Sequence, residues 1–196
     1  MAEFDIVDMT STLKRAGLSA NRPEFLVIHS TRSYPEFEEL LALHRKRGFA
    51  GVGYHFFVSA SMKVYQARPI DLEGAHALGF NRKSVGLCVY SKDGSIEKEA
   101  IETSRRVISH IMERTGELEI IPHTSAQIIY LNQLLDKAGI SERFDSGSDI
   151  TDPKVFSAMQ KKLSQFLTEH QALGVEEKRI ITGFKNCPGP MFDQIV

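Results

Sequence analysis

The sequence predicts a single α/β domain: a central mixed β-sheet flanked by helices, with a helical insertion ahead of a C-terminal cysteine loop. Two observations predict this class. Short apolar runs rich in strand formers alternate with stretches of helical periodicity. The chain of 196 residues, 42% hydrophobic and 25% charged, is long enough for one domain with a sizeable core and has ordinary globular composition. No internal repeat or low-complexity tract appears. The net charge of −1 gives no argument for a nucleic-acid partner or an anionic membrane surface. No apolar run reaches transmembrane length, so no membrane insertion is expected. The acidic start, Met1-Ala2-Glu3-Phe4-Asp5-Ile6-Val7-Asp8, lacks the basic and apolar regions of a signal peptide. The chain is therefore expected to be made in the cytoplasm.

Residues 1–22 read as a polar lead-in, with a short helix near Ser11 to Ala16. Phe25-Leu26-Val27-Ile28 reads as a buried strand that ends at His29, where a histidine can face a cleft. Ser33-Tyr34-Pro35-Glu36 has capping-box spacing and opens a helix whose apolar face holds Phe37, Leu40, Leu41 and His44. Residues 54–58 form the next strand, and residues 63–66 return as its hairpin partner. Gly74 to Asn81 is a glycine-bounded loop carrying His76. Its bland reading is a connection in which a polar side chain ties down its own backbone; its functional reading is substrate contact. Residues 85–90 are nearly all apolar, which places that strand centrally in the sheet. Asp93-Gly94 turns the chain into a helix from Ser95 to about Arg114, stopped by Gly116. Residues 118–121 form a fourth strand, and His123 stands at its end as His29 does at the first.

Residues 125–174 read as an inserted helical pair. Ile128, Leu131, Leu135 and Ala138 form one apolar stripe. Asp152-Pro153 starts the next, which carries Phe156, Met159, Leu163, Phe166 and Leu167. Arg179-Ile180-Ile181-Thr182 reads as a short strand or extended lead into the terminal loop. That loop holds Cys187, with Lys185 two residues upstream. A thiolate is a strong zinc ligand and a nearby ammonium can stabilise an oxyanion. The other cysteine, Cys88, lies in an apolar strand, so the two do not read as a disulfide framework.

Six segments together resemble the zinc-dependent N-acetylmuramoyl-L-alanine amidases, a family that includes phage lysins and shares its fold with the peptidoglycan recognition proteins. They are Val27-Ile28-His29-Ser30-Thr31, Gly53-Tyr54-His55-Phe56, Val64-Tyr65-Gln66-Ala67-Arg68-Pro69, Gly74-Ala75-His76-Ala77 with Asn81, Ser84-Val85-Gly86-Leu87 and Lys185-Asn186-Cys187-Pro188-Gly189. The resemblance covers roughly residues 25–123 and 180–192, in family order. It implies Zn2+ held by His29, His123 and Cys187, with Tyr54 and Lys185 as catalytic groups. It further implies a substrate groove lined by Arg68, His76 and Asn81, where Arg68 pairs either with a stem-peptide carboxylate or in a structural salt bridge. His44, His55, His110 and His170 are expected to be structural or exposed, with His55 facing away from Tyr54. One departure stands out: the insertion separates His123 from Cys187, and position 184 is Phe.

The implied activity is hydrolysis of the amide between N-acetylmuramic acid and L-alanine in peptidoglycan or muropeptides. A lysin of this kind would reach the wall through a separate permeabilising partner, and a bacterial cytoplasmic enzyme that trims recycled muropeptides fits the same features. The alternative is a recognition module that holds muropeptide without cutting it; a third reading has residues 125–174 binding another protein. The sequence leaves the oligomeric state open. The amidase domain is expected to span residues 1–196, including the lead-in and the insertion.

Overall fold

Six strands form one sheet in the computed structural model of the chain, which describes residues 5–196; Met1 to Phe4 of the expected lead-in lie outside the described residues. The strands are β1 (Ile6–Asp8), β2 (Phe25–Thr31), β3 (Phe56–Val58), β4 (Val64–Gln66), β5 (Ser84–Tyr90) and β6 (Glu119–Pro122). Their spatial order is β1-β4-β3-β5-β2-β6. The β3–β4 hairpin is antiparallel and the other pairings are parallel, so the sheet is mixed. The apolar strand β5 lies between β3 and β2, as a strand buried on both faces requires. The helices are α1 (Phe37–Lys46), α2 (Lys98–Thr115), α3 (His123–Lys137), α4 (Pro153–Glu169), α5 (Val175–Thr182) and the short α6 (Phe192–Ile195). Among the described residues no helix is long and apolar enough to cross a membrane.

Strand alternation divides the core into two faces. Leu26, Ile28, Val85, Leu87 and Val89 pack with Ala100, Val107 and Ile111 of α2 and with Met191, Phe192 and Ile195 at the C-terminus. On the opposite face Phe57 and Cys88 meet Phe37, Leu40 and Leu41 of α1, while Val27 meets Phe80 and Ala126. Fully burying one such side chain stabilises the fold by roughly 1.5–3 kcal/mol. His29 shares the parity of Val27, so it emerges on the α1 face; β2 runs two residues past the end expected at His29, because Ser30 and Thr31 still pair with β5.

The insertion holds the expected helical pair as α3 and α4, with α5 following directly after it. These three helices pack around a cluster of their own that includes Leu131, Leu135, Leu163, Phe166, Ile180 and Phe184. Asp152 caps α4 as its sequence predicts, its carboxylate accepting the N–H groups of Lys154 (2.8 Å) and Val155 (3.2 Å). Residues 179–182, expected to be extended, are instead the last turn of α5. Ile180 and Ile181 are buried in the insertion cluster, and Glu176 and Glu177 complement the helix N-terminus. The expected capping box at Ser33 does not form. Glu36 is itself the N-cap of α1, and its carboxylate accepts from Ser61 instead. The helix expected near Ser11 is a single 3-10 turn, Thr10–Thr12, and the lead-in supplies the edge strand β1.

His55, beside the strand β3, is fully buried. Its Nδ1 accepts the Gly86 N–H (3.0 Å), so Nε2 carries the proton and donates to the Leu72 carbonyl (2.9 Å). Burial pushes its pKa down to about 4. The folded state therefore holds His55 neutral, while the unfolded chain takes up a proton near pH 6.5. The stability this neutrality supplies is present above about pH 6.5 and is lost as pH falls toward about 4, by roughly 3 kcal/mol. Urea unfolding of the metal-free protein from about pH 7 to about pH 4 should show this loss. His55→Asn, which keeps an acceptor for Gly86 but cannot protonate, should lose less stability over that range than the wild type.

Candidate metal centre and cleft

Parallel register brings two histidines together. Ile28 of β2 pairs with Pro122 of β6, so the next residues, His29 and His123, stand level on neighbouring chains. Their ring centroids are 4.6 Å apart. His123 is the first residue of α3, so the strand-to-helix turn aims its ring into the space above the sheet. The carboxyl ends of parallel strands are where open α/β sheets hold ligands. Cys187 reaches the same space from the terminal loop. One ligand-capable atom each from His29, His123 and Cys187 fall within 4.8 Å of one another, which no other described group of three His, Cys, Asp or Glu residues achieves.

The terminal loop is pinned by Thr124, a residue that the sequence reading passed over. Its Oγ1 accepts the Cys187 N–H (2.9 Å), and its own hydroxyl hydrogen faces the carbonyls of Cys187 (2.9 Å) and Lys185 (3.1 Å). The Thr124 N–H donates to the Cys187 carbonyl as well (3.0 Å). A fully buried threonine directly after one ligand candidate thus fixes the loop bearing another. Its signal in the sequence was only its adjacency to His123. On the other side, the Ser30 N–H points at the Cys187 Sγ (3.5 Å). Both cysteines are free.

Electrostatics suit a metal. Burial is the main cause holding His29 well below its usual pKa, with the neighbouring His123 and His76 adding to it. Burial and then Lys185 take His123 to about 4. Both imidazoles are therefore neutral at physiological pH, as ligation requires. Burial pushes the Cys187 thiol up, against the pull of Ser30, Lys185 and Arg32. A dication would reverse that balance and hold the thiolate. Two neutral imidazoles and one thiolate form a donor set that suits zinc, and three protein donors leave a tetrahedral position open.

A cavity of about 470 Å³ opens over these groups, lined among others by Tyr54, His44, Arg47, His76 and Lys185. Tyr54 is 4.9 Å from His29, centroid to centroid. Burial first, then Cys88 and Cys187, raises its pKa well above the usual value, so its hydroxyl stays protonated. A second cavity of about 230 Å³ lies on the other side of His123 and is walled by the insertion through Gln127, Tyr130, Arg179 and Ile180. The Tyr130 hydroxyl donates to Glu176 (3.0 Å), and its ring lies against Gly79, whose φ of +80° and close neighbour both require glycine. A larger cavity, about 700 Å³, sits around Asn21, Gln66 and Arg114. Size favours it, but the converging donors make the smaller one the candidate site.

Two of the three expected groove residues fall elsewhere. Arg68 is 1% exposed, and its Nε and Nη1 donate to the carbonyls of Val52 (2.6 Å) and Glu73 (2.7 Å), away from both cavities beside His123. The Asn81 carboxamide oxygen accepts the N–H groups of His76 (2.8 Å) and Ala77 (3.0 Å), the self-tying role weighed for this loop. His76 does border the cleft, with its Nδ1 3.0 Å from the Nε2 of His29.

Residues 19–190 match the family model described as N-acetylmuramoyl-L-alanine amidase. A stretch covering 34% of the chain is 30% identical, over 70 residues, to an endolysin of Enterobacteria phage T3, of which it spans 46%. Across the phage endolysins matched, the chain spans between 34% and 46% of their length. In fold it is similar to the N-acetylmuramoyl-L-alanine amidase LysC from Clostridium intestinale, with TM-score 0.57 and 20% identity over 70% of this chain and 99% of that one. It is also similar to peptidoglycan recognition protein-LE in complex with tracheal cytotoxin, with TM-score 0.54 and 19% identity over 62% of this chain and 83% of that one.

Thr124→Val keeps the shape of the side chain and removes every hydrogen bond of the hydroxyl, leaving the part-buried Cys187 N–H without its acceptor. Equilibrium unfolding of the metal-free protein should show a loss of about 1–3 kcal/mol.

Proposed function

The chain belongs to the N-acetylmuramoyl-L-alanine amidase family, and from that premise we propose that it hydrolyses the amide joining N-acetylmuramic acid to L-alanine in peptidoglycan or muropeptides, with zinc held by His29, His123 and Cys187. The observation that carries this reading is the convergence of those three donors within 4.8 Å at the floor of the cleft. An ion in this donor set supplies Lewis acidity to a carbonyl oxygen and to a water.

The chain's own residues do the rest. The protonated Tyr54 hydroxyl is a donor beside His29 that can orient the attacking water. Lys185 borders the same cavity and brings an ammonium to the place where the scissile carbonyl gains negative charge. The Thr124 clamp fixes the backbone from Lys185 to Cys187, so ammonium and thiolate are positioned together. The cleft is polar enough to receive an amide and its flanking sugar or peptide, and the insertion extends its wall past His123.

A purely binding module of the same fold has no use for a thiolate set against two neutral imidazoles, which favours the hydrolase. In this reading the enzyme is made in the cytoplasm and reaches polymeric wall when a permeabilising partner releases it.

Near-stoichiometric zinc should be found by atomic emission in the purified protein, and muropeptide hydrolysis followed by mass spectrometry should release free stem peptide. Cys187→Ala and His123→Ala should each lose the zinc and the hydrolysis. Lys185→Ala should keep the zinc while kcat falls on the order of 100–1000-fold. A zinc-free wild type that binds muropeptide without cleaving it would make the chain a recognition module instead.

A further inference from the structure

We propose that His76 is a positioning residue for the metal centre: its Nδ1 accepts the Nε2–H of His29, holding that ring in one tautomer and leaving the His29 Nδ1 as the metal-ligating nitrogen. This rests on the metal reading given above. A neutral imidazole has one N–H and one lone pair. If His29 gives its lone pair to a metal, its other nitrogen must carry the hydrogen, and that hydrogen needs an acceptor. The Nδ1 of His76, 3.0 Å from the His29 Nε2, is that acceptor. His76 then carries its own hydrogen on Nε2, facing the Ser84 Oγ at 3.5 Å. The Ser84 hydroxyl has already given its hydrogen to the Phe80 carbonyl (2.7 Å), so a lone pair is left toward His76. Every group in the chain has one consistent direction, running from the metal side into the core.

The fold makes a socket for this ring. Gly86 sits in the middle of β5, where a side chain would ordinarily strengthen the strand. A Cβ there would come within 2.7 Å of the Cδ2 and Cγ of His76, so only glycine leaves the ring its room. Gly74 is under the same constraint, since its Cβ would overlap the His76 Cδ2. The two hydrogen bonds from Asn81 lock the backbone at His76 and Ala77. The ring is thus fixed by two missing side chains and one carboxamide, all outside the cleft. His76 is not among the residues whose ligand atoms converge within 4.8 Å, so its place is behind a ligand.

Ligating histidines usually donate to a carboxylate, a backbone carbonyl or water. A neutral imidazole in that role orients the ligand without adding negative charge. The centre then carries only the thiolate against the dication, which keeps the metal a stronger Lewis acid than a carboxylate partner would.

The test uses the full-length protein with metal alone. Zinc affinity is measured by competition with a chromophoric chelator for wild type, His76→Leu and His76→Asn. Visible spectra of the Co2+-substituted forms accompany it. Leucine fills the socket without an acceptor, whereas asparagine puts an oxygen close to the place of Nδ1. His76→Leu should weaken zinc binding 10–100-fold, and His76→Asn should recover most of that loss with an unchanged Co2+ spectrum. Wild-type affinity in His76→Leu would overturn the positioning role while leaving the metal centre standing. A shifted Co2+ spectrum in His76→Asn would also overturn it, by making His76 itself a ligand. No metal binding by the wild type would overturn both readings. If His76→Leu fails to fold, the asparagine variant decides: affinity lost without rescue counts against the hydrogen bond.

Discussion

The parallel pairing of β2 with β5 over seven residues, extended on its other side by four residues of β6, sets the level at which the chemistry stands. In a parallel pair the residues one step beyond the last pairing are neighbours. His29 and His123 are such residues. A one-residue slip of β6 against β2 would carry His123 about 3.3 Å along the strand axis. It would also turn the strand's side chains to the other face. The pairing is therefore a constraint on function before it is a contribution to stability, and the apolar residues of β2 and β5 enforce it by being buried on both sides.

Much of this was legible in the sequence. Strand-forming runs ending in histidine marked the level of the site, and an apolar strand announced its central place. The convergence of His29, His123 and Cys187 agrees with the ligand set that the motif order implied, although 63 residues lie between the last two in the chain. What stayed hidden was what depends on tertiary partners. Residues 179–182 have the β-branched character of a strand, yet no open sheet edge lies beside them and the insertion core takes Ile180 and Ile181 into a helix. Glu36 looked like half of a capping box, but Ser61, far off in sequence, claims its carboxylate. Arg68, His76 and Asn81 are polar residues in a motif-bearing region, and polarity alone does not say whether a side chain faces the cleft or backs it. Their partners are carbonyls, amides and a ring brought in by the fold.

The insertion is built as a subsidiary core rather than as a long loop. Its two helices and α5 close over their own apolar cluster, with the Phe156 and Phe184 rings stacked at 4.9 Å. This arrangement explains how the chain can place so many residues between His123 and Cys187 without loosening either. Both ends of the excursion return to Thr124, whose bonds to the terminal loop do not depend on what lies between.

Tyr130 gives the insertion a second attachment. Its ring rests on the bare backbone of Gly79 in the loop that carries His76, and its hydroxyl is held by Glu176 at the start of α5. Two walls of the cleft, remote in sequence, therefore share one bearing surface. Mechanically they form a single jaw. Helix α3 and the loop that carries His76 meet at this contact. The fit of that ring leaves no room for a methyl group at position 79.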